Sequence, residues 1–174
     1  MLSGFRPYAH TRVNAVPVVC ATLFFLTFAA VSAWPVDVFT IREQVPGSPE
    51  SRLVLSAPTL LGRDVTASII HSVQLTPVID VYRIQEGRIW SWQEKIMSHN
   101  AGLPSLKPER GRFIYDTPWM IVEGGGVSHA TIYYRVGDEQ FGRNVLCVFP
   151  LPCHELWREM PGKRLVLEAK RGYL

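Results

Sequence analysis

The chain has 174 residues, enough for one domain with a single core and a targeting segment ahead of it. It carries 18 Lys and Arg against 15 Asp and Glu, and setting aside Arg6 and Arg12 of the N-terminal leader leaves a nearly neutral body. No Lys- or Arg-rich run appears, so the phosphate-neutralising face that nucleic-acid binding needs is missing.

Residues 15–33 hold no charged side chain and follow a leader bearing Arg6, His10 and Arg12. That is the charge order of an export signal or of a signal anchor. The apolar stretch is longer than the roughly 7 to 15 residues of a cleavable segment and close to the roughly 20 of a spanning helix, so both readings stand for residues 1–33. Val31-Ser32-Ala33 offers a cleavage pattern before Trp34. An uncleaved segment would instead place Trp34 at the bilayer interface and tether the chain to the inner membrane by residues 13–33. Either way residues 34–174 are expected to be periplasmic or otherwise extracytoplasmic, secreted or anchored.

Past Trp34 the pattern changes to short runs rich in Val, Ile, Tyr and Trp, bounded by Gly, Pro, Asp and Asn, which is the grammar of strands. Strands are expected over 36–41, 52–56, 65–73, 78–85, 88–97, 113–123, 128–136, 144–149 and 164–169. Glu86-Gly87 supplies a hairpin turn, and Pro77 limits how far the third strand can run. Between residues 88 and 97, Ile89, Ser91, Gln93 and Lys95 oppose Trp90, Trp92, Glu94 and Ile96. Residues 100–112, with Gly102, Pro104, Pro108 and Gly111, read as a long loop. Gly124-Gly125-Gly126 reads as a hairpin turn, and His154 to Met160 as one helical turn or two. About nine short strands behind an N-terminal hydrophobic helix predict an all-β fold, an antiparallel β-sandwich or partly closed barrel, with 34–174 as a single β-domain.

Cys20 lies in the apolar segment, which leaves Cys147 and Cys153 as the pair able to meet. In an oxidising compartment they would close a short loop stiffened by Pro150 and Pro152; two separate half-buried thiols fit the sequence equally well. The spacing does not suit structural zinc.

The stretch Ile69 to Pro77 places His71, Ser72 and Thr76 inside an apolar segment, and His99-Asn100-Ala101-Gly102-Leu103-Pro104 follows one hairpin later. His71, Ser72, Thr76 and Asp80, together with His99, Asn100 and the Gly102 backbone, form a candidate ligand- or partner-binding surface beside Tyr82, Trp90 and Trp92. As a nucleophile Ser72 would need His99 or His129 for its base, because neighbours on a strand point to opposite faces and His71 cannot readily serve it. There is no Gly-x-Ser-x-Gly elbow. His71, His99, His129 and His154 lack metal-ligand spacing, so neither a metal nor another cofactor is expected.

The stretch His71-Ser72-Val73-Gln74-Leu75-Thr76-Pro77-Val78-Ile79-Asp80, followed by an aromatic-containing strand, a turn and Asn100-Ala101-Gly102-Leu103-Pro104, resembles the bacterial and archaeal family DUF1850. The chain departs from the family pattern at Gln74, where an acidic residue is usual, at Asp80 in place of glutamate, and at Asn100 in place of a small glycine. The resemblance spans roughly Val38 to Lys170. Family members are often encoded beside, or fused to, the permease of TAXI-type TRAP transporters. The resemblance therefore implies an exported, non-enzymatic accessory or binding module for such a transporter, with a permease or substrate-binding protein as partner and a small organic anion or amino acid as ligand. The rival expectation is a periplasmic hydrolase using His71, Ser72 and His99.

Overall fold

A computed structural model describes residues 15–48, 50–59, 64–97, 108–124 and 126–173. His99, Asn100 and Gly102 lie outside the described residues. The chain divides into two units, one reaching Trp34 and joined by the last two residues, the other a body from Pro35 to Gly172. In the first unit, α1 (Ala15–Ser32) presents apolar side chains all round. Among the described residues no helix is long and apolar enough to cross a membrane.

Among the described residues the body has eleven strands in two sheets. Strands β1 (Pro35–Gln44), β2 (Ser51–Thr59), β9 (Thr131–Arg135) and β11 (Arg164–Tyr173) form a four-stranded sheet in the order β2-β1-β11-β9. The second sheet runs β10-β3-β4-β5-β7-β6. It contains β3 (Asp64–Ile70), β4 (Pro77–Gln85), β5 (Arg88–Ile96), β6 (Gly111–Asp116), β7 (Trp119–Gly124) and β10 (Gly142–Val148), with the two-residue β8 (Ser128–His129) also paired to β5. The fold is thus an all-β antiparallel sandwich with no closed barrel.

One core lies between the sheets. Phe39, Ile41, Leu165 and Leu167 of the smaller sheet meet Val65, Ala67, Ile84, Ile89 and Leu146 of the larger one. Removing these side chains from water supplies the main drive for the two layers to associate. Leu156 of the single-turn α2 (Leu156–Glu159) and nearby Met160 complete that core. A second, smaller cluster of Val78, Ile96 and Met120, flanked by Ile69 and Phe113, belongs to the larger sheet alone. Asp37 of β1 reaches the β4–β5 turn, where its two carboxylate oxygens accept from the N–H groups of Glu86 and Gly87, each at 2.7 Å.

Three details differ from the alternation in the sequence. The run 113–123 is two strands, because the chain reverses at Thr117-Pro118 between β6 and β7, where a proline cannot donate to a ladder. Gly124–Gly126 is no hairpin turn. Residues 120–123 and 128–129 pair with successive parts of β5 in the same sense, so the glycines interrupt a strand line without reversing it. The positive φ of Gly124 and Gly126 suits such a break.

The third difference is a bulge in β5. Val81 pairs with Gln93 and Tyr82 with Ser91, leaving Trp92 as the extra residue. Ile89 and Ile96 are both fully buried although they stand an odd number of residues apart, and the bulge puts them on one face. Glu94 and Ile96 accordingly share a face with Ile89 and Ser91, while the Trp92 ring lies under the Arg83 guanidinium at 4.2 Å.

Candidate functional site

The predicted cluster separates into two places. His71 and Ser72 sit at one end of the sandwich, just past β3, in a turn and not on a strand. The His71 N–H donates to the Thr76 carbonyl at 2.9 Å, and its carbonyl accepts from Leu75 N–H at 2.8 Å. Its Nδ1 accepts from the N–H groups of Val73 and Gln74, both at 3.3 Å, so this ring nitrogen is the acceptor and Nε2 carries the proton. The histidine therefore organises its own loop, which Leu75 completes at φ 55°. Among the described residues the buried Thr76 Oγ1 has no hydrogen-bond partner.

Pairing of Ile70 with Gly142 brings the β9–β10 connection beside this loop. Asp138 folds that connection, accepting at Oδ1 from Gln140 and Phe141 N–H, both at 2.9 Å. Gly137 is required there, since a Cβ would lie 1.9 Å from the Phe141 carbonyl oxygen. Together the two loops form an open cleft of about 400 Å³ with mainly apolar walls, lined by Ile69, His71, Ser72, Arg135, Phe141 and Asn144 among others. Arg135 also lines an adjoining hollow with Tyr133 and Arg164, and among the described residues its guanidinium has no ion-pair partner. A cation, a histidine Nε2–H and a hydroxyl around an apolar floor suit a small organic anion.

The second place is inside the sandwich. Asp80 pairs directly with Glu94 across β4 and β5, on the face that carries Val78, Ile84, Ile89 and Ile96. Both carboxyls line a cavity of about 130 Å³ with Tyr82, Ser91 and Val122. Tyr82 donates its hydroxyl to Asp80 at 3.4 Å. From the opposite sheet comes Tyr134, whose hydroxyl accepts from Asn144 Nδ2 at 2.8 Å, while Asn144 Oδ1 takes the Gly137 N–H. Burial raises the pKa of Asp80, partly offset by the Tyr82 hydrogen bond. Burial and the neighbouring Asp80 charge push Glu94 up to about 7. Desolvation likewise raises Tyr82 and Tyr134.

Of the remaining predicted groups, Trp90 donates to the Gln85 carbonyl at 3.2 Å, and Trp92 stacks on Arg83. His129 of β8 pairs with Ile89 of β5, and His154 contacts Glu159 at 3.1 Å. Among the described residues no three His, Cys, Asp or Glu side chains converge. Cys147 and Cys153 form a disulfide, resolving the alternative left by the sequence.

Fold and cleft define a two-sheet antiparallel sandwich in which the His71 loop and the β9–β10 connection meet at one end. Residues 65–149 match the family described as a domain of unknown function (DUF1850). The match is narrower than the span from Val38 to Lys170, yet it contains all the residues lining the loop-end cleft and the inner cavity. No curated protein and no solved structure matches the chain.

Proposed function

We propose that the chain is an exported, non-enzymatic β-sandwich serving a TAXI/TRAP-type solute transporter, and that it binds a small organic anion in the cleft between the His71 loop and the β9–β10 connection. The observation that carries this reading is the unpaired Arg135 at the edge of a ligand-sized, largely apolar cleft built by the family's own His-Ser motif. Export is supported by the uncharged α1 behind Arg6 and Arg12 and by a disulfide in the body, a bond that persists in oxidising compartments. No observation favours the hydrolase. His71 Nδ1 is taken by its own loop, no hydrogen bond links the ring to Ser72, and Ser72 is exposed.

Titration calorimetry of the full chain with aliphatic and aromatic mono- and dicarboxylates and with acidic amino acids tests the reading, alongside co-purification of a tagged chain with a TAXI permease in mild detergent. Carboxylate binding that disappears in Arg135→Gln while the melting temperature holds is the expected result. Absence of both carboxylate binding and any membrane partner would overturn it.

A further inference from the structure

The inner face of the larger sheet carries one row that runs Leu146, Ala67, Asp80, Glu94, Val122, Phe113 from β10 to β6. Four members are apolar, and the two in the middle are carboxyls set directly opposite each other. Like charges in that position repel. Along the strands the pair is flanked by Val78 and Ile96 of the smaller core cluster and by Tyr82 and Ser91 on the side of the larger one.

The groups facing the pair can be named element by element. β4 contributes the Tyr82 hydroxyl, and β9 of the other sheet contributes Tyr134, backed by Asn144 of β10. β3 presents Ala67 and β7 presents Val122. Among the described residues no Lys, Arg or His pairs with either carboxyl. Arg83 pairs with Asp64 and Arg112 with Glu123.

With Trp92 in the chain, it is the bulge that sets the two acids opposite each other. In an unbroken hairpin continuing from the Ile84–Ile89 pair, Asp80 would face Gln93, a neutral partner. With the bulge it faces Glu94, and the cavity opens where the ladder is disturbed, lined by Trp92 and Gln93 as well as by both acids.

We infer that Asp80 and Glu94 are held against each other by one shared proton, and that loss of this proton to solvent opens the inner-face cavity at the β4–β5 bulge. Two carboxyls with one proton form an O–H···O⁻ pair that satisfies both groups; the dianion has no counter-ion and separates. Water in the cavity receives the proton, and no other bond changes. The device is a pH-sensitive catch in the inner layer of the sandwich, apart from the loop-end cleft.

Hydrogen–deuterium exchange of the full chain, corrected for intrinsic rates, reads the catch directly. Peptides over 78–82 and 91–96 should lose protection by roughly tenfold between pH 5.5 and pH 8, a fraction of the linkage ceiling because Glu94 is only part-buried. Glu94→Gln and Asp80→Asn, each unable to form the dianion, should stay protected at pH 8. The β1–β2 peptide of the other sheet, whose Arg52–Glu43 pair stays charged, is the internal control. Should neither variant fold, carboxyl carbon NMR of the wild type decides the matter. One of the two groups titrating near pH 7 supports the shared proton, whereas ordinary titration of both overturns it, as does equal pH dependence in wild type and variants.

Discussion

Replacing both Cys147 and Cys153 with alanine should lower stability by an amount set by the small loop they close. The bridge spans a sequence separation of 6. For a loop that short, the chain-entropy relation gives about 2 kcal/mol at 25 °C. The native state retains a second clamp. Leu146 N–H donates to the His154 carbonyl at 2.9 Å, and His154 N–H donates back at 2.8 Å, so α2 still enters the core with Leu156 in place. The loss should therefore come from the unfolded chain and stay near that figure. For a body of this size it corresponds to a fall of roughly 6 °C in melting temperature. Scanning calorimetry of wild type and double variant measures it, with thiol titration of the denatured, unreduced wild type establishing that the bond is present. A fall below 1 °C, or two titratable thiols from this pair, would refute the reasoning. A fall beyond about 15 °C would show that the bridge holds native packing as well.

Other perturbations have equally definite signs. Gly137→Ala places a Cβ 1.9 Å from the Phe141 carbonyl oxygen and 2.9 Å from Asn144 Oδ1, so urea denaturation should show a loss above about 3 kcal/mol or no folded protein. Asp37→Ala strands the two turn N–H groups of Glu86 and Gly87 and should cost about 1 to 3 kcal/mol, readable in the same assay. For Glu94 the folded pKa of about 7 lies above the ordinary 4.5. The stability that its protonated form contributes is present below pH 4.5 and is lost as pH rises through 7. Glu94→Gln should thus equal or trail the wild type at pH 4 and exceed it at pH 8. The ceiling of about 3 kcal/mol shrinks to about 1 to 2 kcal/mol because the group is partly solvated.

Alternation was enough to place most strands, because each sheet buries one face and leaves the other to solvent. It broke down where the period itself changes. Nothing in Trp90-Ser91-Trp92 marks a bulge; the usable signal was the odd separation of Ile89 and Ile96, two residues that both need burial. Pro118 falls inside the expected strand 113–123, and a proline in an edge strand and a proline in a turn look alike until the partner strand is known. Gly124-Gly125-Gly126 reads as a reversal because hairpin turns are the commoner setting of such a run, whereas residues 120–123 and 128–129 pair with successive parts of β5. At the cleft, the His71 loop was legible from its polar residues inside an apolar run. Arg135 and Phe141 were not, since only the β3–β10 pairing brings them to that loop across more than sixty residues of chain. Regular alternation puts Glu94 on the Trp92 side of the strand, yet it shares a face with Ile89 and Ser91, because the bulge exchanges the faces beyond it.

That bulge has one more consequence. Pairing resumes in register on both sides of Trp92, with Ser91 opposite Tyr82 and Gln93 opposite Val81. Trp92 is therefore a one-residue insertion in the structural sense: deleting it leaves every strand partner unchanged, the Asp80–Glu94 pair included. What the extra residue contributes is local twist and an unpaired peptide unit at the wall of the cavity. A lineage gaining or losing this tryptophan would keep the sheet and alter how readily water reaches the two acids.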